Sequence, residues 1–211
     1  MMSKTFPLLL ITSALALAAC SGKSKDDVAS ASTTPANPAL SVPNGPPAVA
    51  NPTVGGVPMM ATRTIVDNAS AAPNLSTLVA AVKAADLVGT LSGPGPFTVF
   101  APTNDAFGRL APGMVDTLLK PENKSSLTKV LTYHVLPGVV TADDLRQRIA
   151  AGGGTATLTT VEGDPITATL VGAVITLTDV NGNKSYVETA DVRQSNGVVH
   201  VVNGVIVPKL S

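Results

Sequence analysis

The chain has 211 residues, 45 % of them apolar and only 3 % aromatic, so we expect one domain of ordinary size with an aliphatic core. Its 14 Lys and Arg residues equal its 14 Asp and Glu residues in number, and it has no Trp. This balance excludes the usual classes of nucleic-acid-binding protein, because there is no basic excess for the phosphates and few rings for the bases.

The first nineteen residues have the pattern of a secretion signal. Lys4 provides a short positive end, and an apolar stretch follows over 6–17, interrupted only by Thr12 and Ser13. This stretch is too short to cross a membrane comfortably, since a spanning helix needs about 20 apolar residues. We therefore expect residues 1–19 to be a signal peptide that is removed.

Cys20 is the only cysteine, which rules out a disulfide within the chain. The run Leu17-Ala18-Ala19-Cys20 resembles the lipobox of bacterial lipoproteins, whose cysteine is lipidated after the signal has been cut off. A plain cleaved signal followed by a chance cysteine is the alternative. The resemblance implies a lipid on Cys20 as the sole membrane contact. By the same resemblance, Ser21 permits sorting to the outer membrane, with the domain on its periplasmic face or at the cell surface.

Residues 20–61 predict a disordered tether that begins at the lipidated cysteine. Seven prolines occur between Pro35 and Pro58, separated mostly by Gly, Ser, Ala, Thr and Asn, so no helical or strand period survives. Fully extended, about 40 such residues would reach at most about 120 Å. We expect a spacer without a binding role, followed by the folded domain at 62–211.

The first part of that domain predicts helices. Asn74 is the expected N-cap of an early helix, and Thr103 or Asn104 that of a later one. Thr141 with Asp144 predicts a capping box. Helical spacing of apolar residues occurs near 65–69, 75–82, 105–110, 115–119 and 127–135.

The later part predicts strands, because the apolar period becomes two after Gly152. Asn181-Gly182 predicts a type I′ hairpin turn between two of them, since both central residues of that turn need positive φ. Asn203-Gly204 predicts a turn or bulge near the end. The expected strands are 97–100, 155–161, 166–170, 174–178, 184–188 and 197–207.

Three segments, in this order, resemble the conserved parts of the fasciclin (FAS1) family. Phe97–Phe107 looks like its first conserved segment, Tyr133–Gly138 its Tyr-His motif, and Asn196–Pro208 its second conserved segment. The resemblance covers about 62–210. It implies an α+β fold, a FAS1-like wedge of two β-sheets with several helices packed around it and one strand from each conserved segment in the core. Asn203 departs from the pattern, because the family often has Asp there.

Within these segments six residues are expected to be structural: Thr103, Asn104, Asp105, Asn196, Gly197 and His200. Four others have two interpretations. Tyr133 and His134, and likewise Asp191 and Val192, resemble pairs that animal relatives use to contact integrins, which makes them candidate partner-binding residues. Alternatively His134 is a buried histidine with satisfied ring nitrogens, and Asp191-Val192 is a strand-edge Asp followed by a core Val.

No pattern indicates catalysis or a cofactor. Two histidines are too few for a zinc site, and no EF-hand-like loop indicates calcium, so no metal is expected. The chain has no G-x-S-x-G elbow, and Gly152–Gly154 lack the Lys of a phosphate loop. Asp143 and Asp144 are better placed to interact with a helix dipole than to act as a catalytic pair.

The expected function is therefore that of a cell-envelope lipoprotein whose FAS1 domain acts in adhesion and is not an enzyme. Its partner would be a protein, a matrix component or a surface glycan. The alternative is a periplasmic binding protein for a small apolar or carbohydrate ligand, which would need an enclosed pocket lined by Val and Leu.

Overall fold

A computed structural model describes residues 51–111 and 113–209. The predicted signal peptide, Cys20 and most of the predicted tether lie outside the described residues. Among the helices that are described, none combines the length and the apolar character needed to cross a membrane.

The helices are short, and their apolar faces pack on the sheet. Helices α1 to α6 contribute to one core with one face of the central strands, whereas α7 contributes to a second core. Two 3-10 turns, Pro73–Leu75 and Pro121–Asn123, precede α2 and α6. The helices of the described residues are α1 (Ile65–Ala71), α2 (Ser76–Ala84), α3 (Val88–Ser92), α4 (Asn104–Gly108), α5 (Met114–Leu118), α6 (Lys124–Tyr133) and α7 (Ala142–Ala151).

The strands form one small and one large sheet. The small sheet is a hairpin of β1 (Thr53–Val54) and β2 (Val57–Pro58). In the large sheet of the described residues, the strands follow the order β4-β3-β9-β8-β7-β6-β5. These strands are β3 (Phe97–Pro102), β4 (Val135–Pro137), β5 (Thr155–Thr159), β6 (Pro165–Val171), β7 (Val174–Thr178), β8 (Lys184–Gln194) and β9 (Gly197–Val202).

Strands β3 and β9 form the parallel centre of the large sheet, paired in register from Phe97 and Gly197 onward. Their alternating side chains enter both cores, because successive residues of a strand point to opposite faces. Val99 and Val199 lie in the core under the helices, and Phe100 lies in the core shared with α7. The prediction that one strand from each conserved segment lies in the core is confirmed.

Strand β8 connects the two layers of the wedge. Its first residues pair with β7 and its later residues with β9, and its register shifts twice between Val187 and Val192. Such irregularities bend a strand, so β5–β7 turn away from the central strands. Between these layers lie α7 and the second core. The α+β wedge predicted from the resemblance is confirmed.

The folded part begins before residue 62, within the predicted tether. The Gly55-Gly56 turn has positive φ at both residues and joins β1 to β2. Val54 is buried, and the Asn51 side chain bonds both the N–H (2.9 Å) and the C=O (2.6 Å) of Arg193. Tertiary contacts thus overcome the Pro- and Gly-rich composition. The Gly-Gly pair between two valines was the available hairpin signal.

Three local predictions need correction. The side chain of Asn74 does not cap α2, and Asn104 instead accepts from the Thr77 N–H at 3.0 Å. The helix predicted to reach residue 135 ends at Tyr133. The hairpin between β7 and β8 is not closed by a two-residue turn, because the Asp179 carboxylate accepts from backbone N–H groups of the loop and makes it longer.

Candidate functional site

His134 ties the end of α6 to the C-terminal segment. Its Nδ1 lies 2.7 Å from the Val130 carbonyl oxygen, and its Nε2 accepts from the Ile206 N–H at 3.2 Å. Because a carbonyl only accepts, Nδ1 carries the proton and the ring is neutral. The ring is 2 % exposed, so the interpretation of a buried, satisfied histidine is the one that the contacts support.

His200 makes the equivalent connection from β9. Its Nε2 donates to the Val140 carbonyl at 2.8 Å, and its Nδ1 accepts from the Asp191 N–H at 3.3 Å. Its ring stacks on Phe100 with centroids 5.6 Å apart. Both ring nitrogens are therefore used in holding β9 against the loop before α7 and against β8.

Burial sets the protonation of these groups. It lowers the pKa of His134 to about 4 and also lowers the pKa of His200, because the charged ring loses its hydration. It raises the pKa of Tyr133 to about 12. A neutral ring with both nitrogens bonded inside the protein has no free position from which to exchange a proton with a substrate.

Asp191 lies at the bend of β8 in a left-handed conformation, with φ 57°. Its carboxylate accepts from the Ala142 N–H at 2.8 Å. Ala142 is the first residue of α7, whose free N–H groups and helix dipole favour a negative charge. Asp191 therefore acts as a second acceptor at this helix start, beside the predicted Thr141–Asp144 capping box, which is confirmed.

The other predicted partner residues are inside the domain. Tyr133 is fully buried and donates its hydroxyl to the Pro165 carbonyl at 2.8 Å, and Val192 is 1 % exposed. The structure does not link the two pairs through hydrogen bonds. Of the four candidates, only Asp191 reaches the surface in part, so contact of a partner with the other three side chains would require the domain to open.

The Thr103-Asn104-Asp105 segment fastens α4 and α2 to each other. Thr103 caps α4 by accepting from the Ala106 N–H. Asn104 accepts from the Thr77 N–H and donates to the Pro73 carbonyl at 3.0 Å, which caps α2 from outside. Asp105 is exposed in the first turn of α4.

Asn196 and Gly197 fix the start of β9. Asn196 accepts from the Ile65 N–H at 3.1 Å and donates to the Leu91 carbonyl at 2.7 Å, which joins α1, α3 and the β8–β9 turn. Gly197 passes so close to the Phe97 carbonyl that a Cβ atom would overlap it. Of the six residues expected to be structural, five make such contacts, and the sixth, Asp105, is exposed.

The interior offers little room for a ligand. An apolar cavity between α1, α2 and the sheet has a volume of about 30 Å³, and a second one near α6 about 10 Å³. Ligand pockets usually measure about 300–1,000 Å³. Within 51–111 and 113–209, no group of three or more His, Cys, Asp or Glu side chains is placed to hold a metal ion.

An open groove of about 470 Å³ lies between the α4–α5 segment and the β7–β8 hairpin. We call it the hairpin groove. Tyr186 is 38 % and Met114 43 % exposed, which leaves apolar surface available to a partner. Its residues include Arg109, Met114, Asn183, Lys184, Tyr186 and Asn203.

The sequence contained a signal for part of this groove. Lys184 and Tyr186 alternate with the buried Ser185 on β8, so the period of two places both on the solvent face. Arg109 follows α4 and is brought opposite them only by the fold. No local pattern could have predicted that juxtaposition.

Comparison with known sequences gives a consistent result. The family model described as the fasciclin domain matches residues 73–208. Protein sll1483 of Synechocystis sp. is 49 % identical over 151 residues, which cover 70 % of this chain and 74 % of that protein. Transforming growth factor-beta-induced protein ig-h3 of Sus scrofa is 34 % identical over 145 residues, 69 % of this chain but only 19 % of that protein.

A solved structure gives the same fold. It is a FAS1 domain pair from the insect cell adhesion molecule fasciclin I, with a TM-score of 0.61 and 21 % sequence identity. The match covers 74 % of this chain and 52 % of that one, so the chain spans about half the length of the insect structure. These matches confirm the resemblance predicted from the three segments.

Proposed function

Because the chain belongs to the fasciclin family, we propose that it is a cell-envelope lipoprotein whose FAS1 domain acts in adhesion by binding a protein, matrix component or surface glycan. The solved relative with the same fold is described as a cell adhesion molecule. On this proposal the domain is a binding module and has no catalytic role.

The observation that carries the proposal is the division between buried polar groups and exposed surface. His134 and His200 use both ring nitrogens on backbone groups of the fold. The hairpin groove, in contrast, presents cationic, aromatic and amide side chains to solvent. Such a distribution suits the recognition of a partner by a rigid scaffold.

The anchored location rests on the sequence. Leu17-Ala18-Ala19-Cys20 supplies the lipidation signal, and Ser21 is compatible with the outer membrane. Lipidation with more than one acyl chain makes membrane anchoring stable. The tether would then hold the domain at a distance from the lipid, where it can reach another surface.

The alternative of a binding protein for a small enclosed ligand has less support. It needs an enclosed apolar pocket, and the cavities beneath α1 and α2 and near α6 measure only about 30 and 10 Å³. Recognition at the surface is the simpler account of an open groove between two loops.

A surface-attachment assay tests the proposal. A strain without the protein is compared with the same strain carrying either the wild-type chain or Cys20→Ala, which is secreted but has no lipid. We expect attachment to fall in the deletion strain and to return only with the wild-type chain. Equal attachment of all strains would contradict an adhesion role, and full rescue by Cys20→Ala would contradict the need for the anchor.

A further inference from the structure

The hairpin groove has a one-sided charge. Arg109 and Lys184 line it, and none of its described lining residues is Asp or Glu. The ion pairs found among the described residues are Lys124–Asp86 and Arg146–Asp143, so neither groove cation is neutralised by a carboxylate there. Both are exposed. The groove is therefore complementary to an anionic partner.

Nearby carboxylates do not cancel this charge within the groove. Glu188 and Asp105, the acids nearest to Lys184 and Arg109 in the chain, are not among its lining residues. Asp179, at the start of the hairpin, is 6 % exposed. Its carboxylate accepts N–H bonds from Asn181, Asn183 and Val207. Its oxygens therefore point into the loop and hold the hairpin in place, while the side chains beyond it face the groove.

The groove also offers an aromatic ring on a fixed backbone and one side-chain amide. The Tyr186 backbone is fixed from both sides, because its N–H donates to Asn203 Oδ1 at 3.0 Å and its C=O accepts from the Asn203 N–H at 3.1 Å. Because the side-chain oxygen of Asn203 accepts the Tyr186 N–H, the Nδ2 of Asn203 is the atom left to donate to a ligand. An aromatic ring with a carboxamide N–H donor beside it suits a partner with apolar C–H faces and many hydroxyl groups.

We propose that the hairpin groove binds an acidic polysaccharide, with its carboxylate or sulfate groups on Arg109 and Lys184 and a sugar ring against Tyr186. This inference rests on the proposed function of a binding module and names the class of its partner. An extended acidic peptide fits less well, because β8 pairs with a strand on each side and offers no free edge for strand addition.

The test is a titration of the purified full-length protein with a galacturonate hexasaccharide, and separately with a sulfated dextran. The fully methyl-esterified hexasaccharide is the ligand control, since it has the same sugar chain without the charges. We expect binding to an acidic glycan that weakens with added salt, and little binding to the ester.

The variants distinguish binding in the groove from non-specific attraction of an acidic glycan to basic residues elsewhere on the surface. We expect the double variant Arg109→Gln/Lys184→Gln to bind about tenfold more weakly or worse, because two charge-assisted contacts are lost. Arg63→Gln/Lys129→Gln removes the same charge from exposed sites outside the groove and should bind as wild type. Asn203→Asp keeps an oxygen for the Tyr186 N–H but adds a negative charge, so it should weaken acidic-glycan binding without lowering Tm.

Several results would overturn the assignment. The first is that the protein binds neither acidic glycan, and the second is that it binds the acid and its methyl ester equally well. The third is that the two double variants lose the same amount of affinity. Each of these outcomes contradicts binding of an acidic polysaccharide in the groove. Tighter binding of a poly-glutamate peptide than of both glycans, with the same dependence on the groove, would instead identify an acidic protein as the partner. The titration uses no cells and is therefore independent of the attachment assay. If the titration fails, the attachment assay still decides the adhesion role.

Discussion

The two histidines show which part of a residue's role the sequence could predict and which part it could not. An apolar helical face around His134 predicts burial. Its second hydrogen-bond partner, the Ile206 N–H, lies 72 positions away in the chain and was not predictable. The partners of His200 likewise come from the loop before α7 and from β8.

Replacing His134 tests its structural role. We expect His134→Ala to lower the free energy of unfolding by roughly 2–5 kcal/mol, because it leaves a cavity and two unpaired backbone groups. Urea denaturation would measure this loss. Tyr186→Ala, at an exposed position in the groove, should change stability much less. A stable His134→Ala protein that no longer mediates attachment would instead assign His134 to partner binding.

Substitution of Asp191 distinguishes a structural role of the Asp191-Val192 pair from a partner contact. We expect Asp191→Ala to lower stability by about 1–2 kcal/mol, because α7 loses an N-terminal acceptor and Ala is less suited to positive φ. Asp191→Asn keeps an oxygen and tolerates that backbone, so most of the stability should remain. Thermal unfolding of both variants is the measurement. An unchanged Tm in Asp191→Ala together with lost attachment would favour a partner contact.

At the scale of elements, the sequence predicts what depends on neighbours in the chain. The Thr141–Asp144 capping box and the Thr103 cap are local and are confirmed. The cap of α2 comes from Asn104, and the hairpin at 53–58 is held by contacts with residues far along the chain. Those features arise from tertiary packing. The long bend of β8, which creates the wedge, has the same origin.

The parallel pairing of β3 with β9 gives an element-scale prediction. We expect Gly197→Ala to destabilise the domain by about 1–3 kcal/mol, because its Cβ would overlap the Phe97 carbonyl and push the strands apart. Gly89→Ala, in α3, meets no atom within 4 Å and should be neutral or raise stability by about 0.5–1 kcal/mol. Denaturant unfolding compares them, and an equal loss in both would contradict the close approach of the strands.

The whole domain should be most stable near neutral pH. Below the ordinary His pKa of 6.5, the unfolded chain binds a proton on His134, whereas burial lowers the pKa of His134 in the folded domain to about 4. The unfolded state then binds more protons, so the free energy of unfolding falls as pH falls through this window. Burial of His200 acts in the same direction.

The size of this effect follows from the His134 pKa. We expect a loss of about 2 kcal/mol between about pH 7 and about pH 5 from His134 alone. At high pH the folded domain holds the Tyr133 proton up to about 12 while the unfolded chain releases it near 10, so stability should fall again over that range. Urea titrations at a series of pH values measure the loss of stability at low and at high pH. An unfolding free energy that stays constant from about pH 7 to about pH 5 would contradict the buried neutral histidines.

The central claim is that the conserved segments hold the fold while the exposed hairpin groove makes the adhesive contact. The most direct measurement is attachment of the deletion strain carrying Arg109→Gln/Lys184→Gln or the control Arg63→Gln/Lys129→Gln, at equal surface levels and equal Tm. We predict that the groove variant attaches as poorly as the deletion strain and that the control attaches as wild type. Wild-type attachment by the groove variant, in an assay where the deletion strain fails, would contradict the claim.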